Sequence, residues 1–140
     1  MNKIIVTQGI QGSGKTTWAK AWVAEDPEHR IRINNDDVTS MWSQPFGTPG
    51  LYERLKTTRI FMIAIAIDSK LDIVIDNMNL SKHSLQEIQD IIEECSDYTI
   101  EYKDFTKIPL ETCIERDSKR NHPIGEKIIR ETYNKYIKND

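Results

Sequence analysis

The apolar positions of this chain fall into short blocks separated by longer amphipathic stretches. "KIIVT" (3–7) is a compact apolar run, the pattern of a strand covered on both faces. A glycine-rich turn follows, and Lys15 to Glu25 then reads as a helix with Trp18 and Trp22 four apart on one face. "RIRIN" (30–34) predicts a second strand. "QPFGTPG" (44–50), with two prolines and two glycines, predicts a loop. Leu51 to Ser69 predicts one long helix. It begins amphipathic and becomes apolar nearly all round, so its C-terminal half is expected to be buried. "LDIVID" (71–76) predicts a third strand, and Ser81 an N-cap for a helix running to about Glu94. "YTIEYKDF" (98–105) alternates with period two and predicts a fourth strand. Leu110 to Arg120 predicts a helix, "NHP" breaks the pattern, and a last helix is expected from about Ile124 to Ile137.

Strands alternating with helices imply an α/β fold, a parallel sheet of about four strands with helices on both faces. No internal repeat or linker divides the chain, so one domain over residues 1–140 is expected. Ligands of such sheets bind at the carboxyl ends of the strands, so the residues just after each strand carry the functional argument.

Composition narrows the classes. Hydrophobic residues are 38% and charged residues 29%, the balance of a soluble globular protein. The longest apolar run, "IFMIAIAI" (60–67), is far short of the ~20 residues of a membrane span, and no signal-like segment opens the chain. The expected location is the cytoplasm of the producing or host cell. Cys95 and Cys113 have no CxxC companion and read as reduced, partly buried thiols, with a disulfide pair as the alternative. The three histidines are scattered, and no zinc pattern is present. A net charge of -3 argues against nonspecific coating of nucleic acid, but not against an enzyme that grips one end of a strand. From Lys103 onward there are 9 Lys/Arg against 7 Asp/Glu, so the positive charge lies towards the C-terminus.

"GIQGSGKT" (9–16) satisfies G-x-x-x-x-G-K-[ST] in strand–loop–helix context. Glycines let backbone N–H groups turn inward on phosphates, and the helix N-terminus adds partial positive charge. Gly9, Gly12, Ser13, Gly14, Lys15, Thr16 and Thr17 are the expected binding residues for ATP or another NTP. Lys15 is expected on the β- and γ-phosphates and the Thr16 hydroxyl on Mg²⁺. The competing reading is a chance glycine-rich turn.

Other chemistry sits at strand ends. Asp36 and Asp37 in "NNDD" follow the second strand, where a carboxylate could take a proton from an attacking hydroxyl. The alternative is a helix cap, and the two roles can coexist. Asp76 in "VIDNMN" is placed to act on the Mg²⁺ shell, with Asn77 and Asn79 at the same rim; the alternative is turn chemistry. Arg116 and Arg120, four apart, share a helix face before a break, as in a mobile lid that neutralises charge on a transferring phosphoryl group. A solvated face paired with Glu115 and Asp117 is the alternative. Trp18 and Trp22 read as core packing; Trp42 remains open as a stacking platform for a base.

"GSGKTTWA", "RINNDD", "VIDNMN" and "RDSKR", in that order across essentially the whole chain, resemble the kinase domain of phage polynucleotide 5′-hydroxyl kinases. Those enzymes use an NTP to phosphorylate 5′-OH ends of DNA or RNA during end healing. The resemblance implies Lys15 and Thr16 on the donor and Mg²⁺, Asp36 as general base, Arg120 as a lid arginine and Arg116 as its support. It places Asp76 or Asn77 where the acceptor end is positioned. Asp37, Thr39, Asp76, Asn77 and His122 form the implied acceptor side, and a nucleic acid 5′-OH end is the implied partner. Three departures stand out. Thr39 occupies the position where the family carries an arginine that holds the phosphate beside the acceptor hydroxyl. The lid is shorter, and the family's phosphatase domain is not within the 140 residues. Two alternatives follow: a P-loop kinase acting on another hydroxyl (a modified base in DNA, a nucleoside, a small metabolite), or a nucleotide-binding switch without acceptor chemistry.

Overall fold

A computed structural model describes residues 1–45, 47–95 and 97–138. Ten elements follow one another: β1 (Asn2–Gln8), α1 (Lys15–Glu25), β2 (Arg30–Ile33), α2 (Asn35–Ser40), α3 (Leu51–Asp68), β3 (Asp72–Ile75), α4 (Lys82–Glu93), β4 (Tyr98–Asp104), α5 (Leu110–Ser118) and α6 (Glu126–Tyr136). The four strands form one parallel sheet in the order β2-β3-β1-β4. Ile4 lies opposite Ile73 and Ile100, and Ile33 opposite Ile75, so all four strands end on the same rim. The α/β architecture and the parallel sheet are as the alternation of blocks requires.

Strand geometry assigns successive side chains to opposite faces. Ile4, Val6, Ile73 and Ile75 point to one face and pack against Ile63 and Ala66 of α3 and Ile88 and Ile92 of α4. Ile5 and Val74 point to the other and meet Ala19 and Trp22 of α1. Trp22 is buried there, with Trp18 stacked on it at 6.2 Å and partly covered. A third cluster, Ile10, Cys113 and Ile129, fixes α5 and α6 against the loop after β1. Both cysteines are free thiols, Cys113 buried and Cys95 half-buried. No helix among the described residues is long and apolar enough to cross a membrane.

Ser81 caps α4 as expected, its hydroxyl accepting from Ser84 N at 3.1 Å. The segment 44–50 is loop at its described positions; Phe46 lies outside them, as do Asn139 and Asp140.

Three expectations need correction. The C-terminal half of α3 is not buried all round: Ile63 and Ala66 face the sheet, whereas Ile60, Phe61 and Ile65 lie exposed. One sheet face can cover only one side of a helix, whatever the other side's composition. Arg120 does not share the α5 helix with Arg116, because α5 ends at Ser118. The buried Asp117 carboxylate accepts from Ile124 N (3.0 Å) and Gly125 N (2.9 Å), which folds the chain back after one more turn. Neither Asp36 nor Asp37 caps a helix. Asn34 does so for α2, its Oδ1 accepting from Asp37 N, and the two aspartates occupy the first turn. Acidic side chains there complement the positive end of the helix.

Candidate functional site

The C-terminal rim of the sheet gathers the loop 9–14, the start of α1, the start of α2 and the turn after β3. That turn is tightly held. Asn79, at φ +50°, donates from Nδ2 to the carbonyls of Thr7, Ile75 and Asn77, and Gly9 N donates to Met78 O. The crossover after β3 and the loop after β1 are therefore one hydrogen-bonded unit.

Gly12 and Gly14 adopt φ +79° and +99°, which L side chains adopt only with strain. Space is a second constraint at Gly12: a Cβ there would lie 2.3 Å from Cys113 O. The backbone of α5 thus rests directly on the loop. One turn on, Arg116 Nη1 reaches Gly12 O at 3.4 Å. Gly12, Gly14, Lys15, Thr16, Thr17, Arg116 and Arg120 line one cleft of about 280 Å³. Arg120 also pairs with Asp117 at 3.8 Å, so the surface-pairing alternative holds in part for that residue.

Lys15 is buried, and its Nζ donates to Ile10 O at 2.7 Å and reaches Ser13 Oγ at 3.4 Å. Burial pulls its pKa down to about 8, against the opposing field of Asp76. Asp36, exposed in the first turn of α2, adds a smaller contribution of the same sign to the field at Lys15.

Asp76, at the end of β3, is fully buried. Its Oδ2 accepts from the Thr16 hydroxyl at 2.9 Å and from Arg32 Nε at 2.7 Å. Its Oδ1 has no partner. Arg32 Nη1 extends to Asp37 Oδ2 at 2.6 Å, so one guanidinium ties β3 to α2. Burial works against the Arg32 charge, but the bonds to Asp76 and Asp37 outweigh it and hold the group above its ordinary pKa. Three more bonds fix α2: Asn34 Nδ2 to Asp76 O (2.6 Å), Asn35 N to Asn77 Oδ1 (2.8 Å) and Arg59 Nη1 to Asn35 Oδ1 (2.9 Å).

The residues read from the sequence thus separate into groups. The loop residues, Thr16, Asp76, Arg116 and Arg120 converge on the cleft or its floor. Asp36 and Asp37 lie in the first turn of α2, at the same rim of the sheet. Asn77 serves α2 through its side chain. Thr39 is buried, and its hydroxyl donates to Asp36 O at 3.1 Å. His122 is exposed between α5 and α6 and does not line the cleft. Sequence reading missed Arg32, Asn34, Asn35 and Arg59. For Arg32 a signal existed: an arginine alternating with isoleucines in a strand beside one that ends in aspartate.

The site fits a nucleotide with a divalent cation. A buried carboxylate oxygen without a partner, next to a hydroxyl, offers hard oxygen donors, and the backward-wrapped glycines offer N–H groups for phosphates. Among the described residues there is no cluster of three or more His, Cys, Asp or Glu that could hold a metal ion.

Residues 4–139 match a sequence family described as AAA domain (AAA_33). The chain belongs to that family. The L-seryl-tRNA(Sec) kinase of Methanococcus maripaludis is similar to this AAA domain, 24% identical over 137 residues, which cover 95% of the chain and 52% of the relative. Among solved structures, the Pnkp1/Rnl/Hen1 RNA repair complex contains a chain that matches with TM-score 0.73 at 24% identity, over 93% of this chain and 42% of that one. The Mycobacterium tuberculosis APS kinase CysC, in complex with AMPPNP and APS, matches with TM-score 0.64 at 14% identity, over 84% and 69%. At these identities the solved structures establish a shared fold. The AAA domain spans about half the length of the curated relative it matches. The family match and the shared P-loop kinase-like fold are consistent with the resemblance to polynucleotide 5′-hydroxyl kinase domains.

Proposed function

We propose that this chain is a Mg²⁺-dependent phosphotransferase that moves the γ-phosphoryl group of ATP or another NTP to a 5′-hydroxyl end of DNA or RNA. The observation that carries the reading is the convergence of the Thr16–Asp76 pair, with its free Oδ1, and the Asp36 helix on one rim. Relatives named for a seryl-tRNA kinase and for an RNA repair complex support a nucleic acid acceptor. Residues 1–140 are proposed to act as one domain, in the cytoplasm of the producing or host cell.

The loop N–H groups and Lys15 hold the donor phosphates. Thr16 and Asp76 would hold Mg²⁺, which would supply charge neutralisation at the phosphates. Asp36 takes the proton of the acceptor hydroxyl. The acceptor oxygen bonds to the γ-phosphorus as the bond to the β-phosphate oxygen breaks, and the nucleoside diphosphate leaves. Lys15, Arg116 and Arg120 stabilise charge on the moving group, with Arg116 and Arg120 serving as a short lid. Asp37 and Asn77 support the acceptor side by holding α2. His122 is proposed to reach the terminal base.

A second acceptor class is favoured by one observation. Thr39 is buried and its hydroxyl is bonded to Asp36 O, so no cation stands one turn after the base to grip an acceptor phosphate. A P-loop kinase acting on a modified base, a nucleoside or a small metabolite meets that description. Competition between a 5′-OH oligonucleotide and DNA carrying a hydroxymethylated base, with γ-labelled ATP, separates the two. Label on the 5′ end supports the first reading, and label confined to the base overturns it.

A further inference from the structure

Asp76 is wholly buried, yet only half of its carboxylate is satisfied. Oδ2 carries both the Thr16 hydroxyl and Arg32 Nε, whereas Oδ1 carries nothing. Arg32 is itself nearly covered, its side chain 12% exposed, and its other end is bonded to the exposed Asp37. The charge of Asp76 is therefore already balanced from within the chain, while an oxygen stays open for a ligand.

We propose that Arg32 is a positioning residue that acts as a built-in competitor for the cation at Asp76, so that the cation binds well only together with the nucleotide. The inference rests on Thr16 and Asp76 being the metal-holding pair. A divalent cation drawn to Oδ1 meets a guanidinium bonded to the same carboxylate. Their repulsion acts at short range in a poorly solvated pocket, where charges are weakly screened. Lys15 lies in the same field and adds to the effect. The phosphates of a nucleotide bring the negative charge that reverses the balance. The same guanidinium bonds Asp37 in the first turn of α2, next to Asp36. Any cation that draws on Asp76 thus changes how Arg32 is shared between the metal carboxylate and the helix bearing the candidate base.

The sign of the effect provides the test. Mn²⁺ binding to the full chain is measured by the electron paramagnetic resonance of free Mn²⁺, without nucleotide and with ADP, for wild type, Arg32→Gln and Asp76→Asn. Arg32→Gln is expected to bind Mn²⁺ about tenfold tighter without nucleotide, from loss of a close like charge. The gain on adding ADP is expected to shrink. The melting temperature of Arg32→Gln is expected to rise more on Mn²⁺ addition than that of wild type. Asp76→Asn is expected to bind weakly in every state. If Asp76→Asn binds weakly but Arg32→Gln binds no tighter than wild type, the competitor role is overturned while the metal assignment stands. If Asp76→Asn binds like wild type, the metal assignment falls and the inference with it. Should Arg32→Gln not fold, Asp37→Asn carries the test, since it releases the outer end of Arg32 onto Asp76. Its Mn²⁺ affinity is expected to drop further than that of Asp36→Asn, which removes a neighbouring charge without touching Arg32. An equal drop in the two overturns the proposal.

Discussion

The Thr16 hydroxyl donates to Asp76 Oδ2 at 2.9 Å across 60 residues of sequence. This bond joins the first turn of α1 to the end of β3, and it leaves Asp76 Oδ1 as a buried oxygen without a partner. Thr16→Ala is expected to keep the fold, because Arg32 still bonds Asp76. Turnover at limiting Mg²⁺ is expected to fall at least about tenfold, equivalent to ~1.4 kcal/mol of barrier. Unchanged Mg²⁺ dependence in steady-state assays would contradict the role given to this hydroxyl.

Lys15 yields a pH dependence. Burial lowers its pKa to about 8 from an ordinary 10.5, so between those values the unfolded chain binds the proton that the folded chain has released. Its contribution to stability therefore rises with pH across that window, and below about pH 8 the burial penalty is fully present. Nucleotide phosphates favour the charged amine, so binding is expected to take up close to one proton at pH 9 and almost none at pH 6.5. Calorimetry of ADP binding in buffers of different ionisation enthalpy measures this directly. Lys15→Met is expected to abolish the uptake.

Much of this site was legible before any coordinates. The glycine loop, helix α1 and the Ser81 cap follow from local chemistry, because a phosphate loop and a cap are each specified within a few residues. Asp76 was legible as a strand-end carboxylate. What escaped was non-local. Arg32 meets Asp76, 44 residues on, only because β2 pairs with β3 in the register that sets Ile33 against Ile75. Arg59 reaches Asn35 only because α3 packs beside α2. The outer face of α3 was misjudged for the same reason: composition makes Phe61 and Ile65 apolar, but only packing decides what covers them.

Gly12 is bound by two constraints at once, its φ of +79° and the carbonyl of Cys113. Gly12→Ala is expected to cost at least about 2 kcal/mol, from left-handed backbone strain and from displacement of α5. Thermal melts measure the loss. ADP affinity is expected to fall with it, since α5 carries Arg116 over the loop.

Asp117 holds the connection between α5 and α6. Asp117→Ala leaves two backbone N–H groups without their carboxylate and frees Arg120 from its pairing. The expected loss is about 1–3 kcal/mol of stability. Faster amide exchange at Ile124 and Gly125 than in wild type is the accompanying signature.

The central claim is that Asp36, in the first turn of α2, activates an acceptor hydroxyl at the end of a nucleic acid strand. It is tested by γ-labelled ATP with Mg²⁺ and a 5′-OH oligonucleotide, wild type beside Asp36→Asn. The account expects label on the 5′ end with wild type and a loss of about 10²-fold or more in the variant, the scale of general-base catalysis, with ADP binding unchanged. Label transfer by Asp36→Asn at more than about a tenth of the wild-type rate would contradict the assignment of the base. No label with wild type, with ADP still bound, would contradict the acceptor.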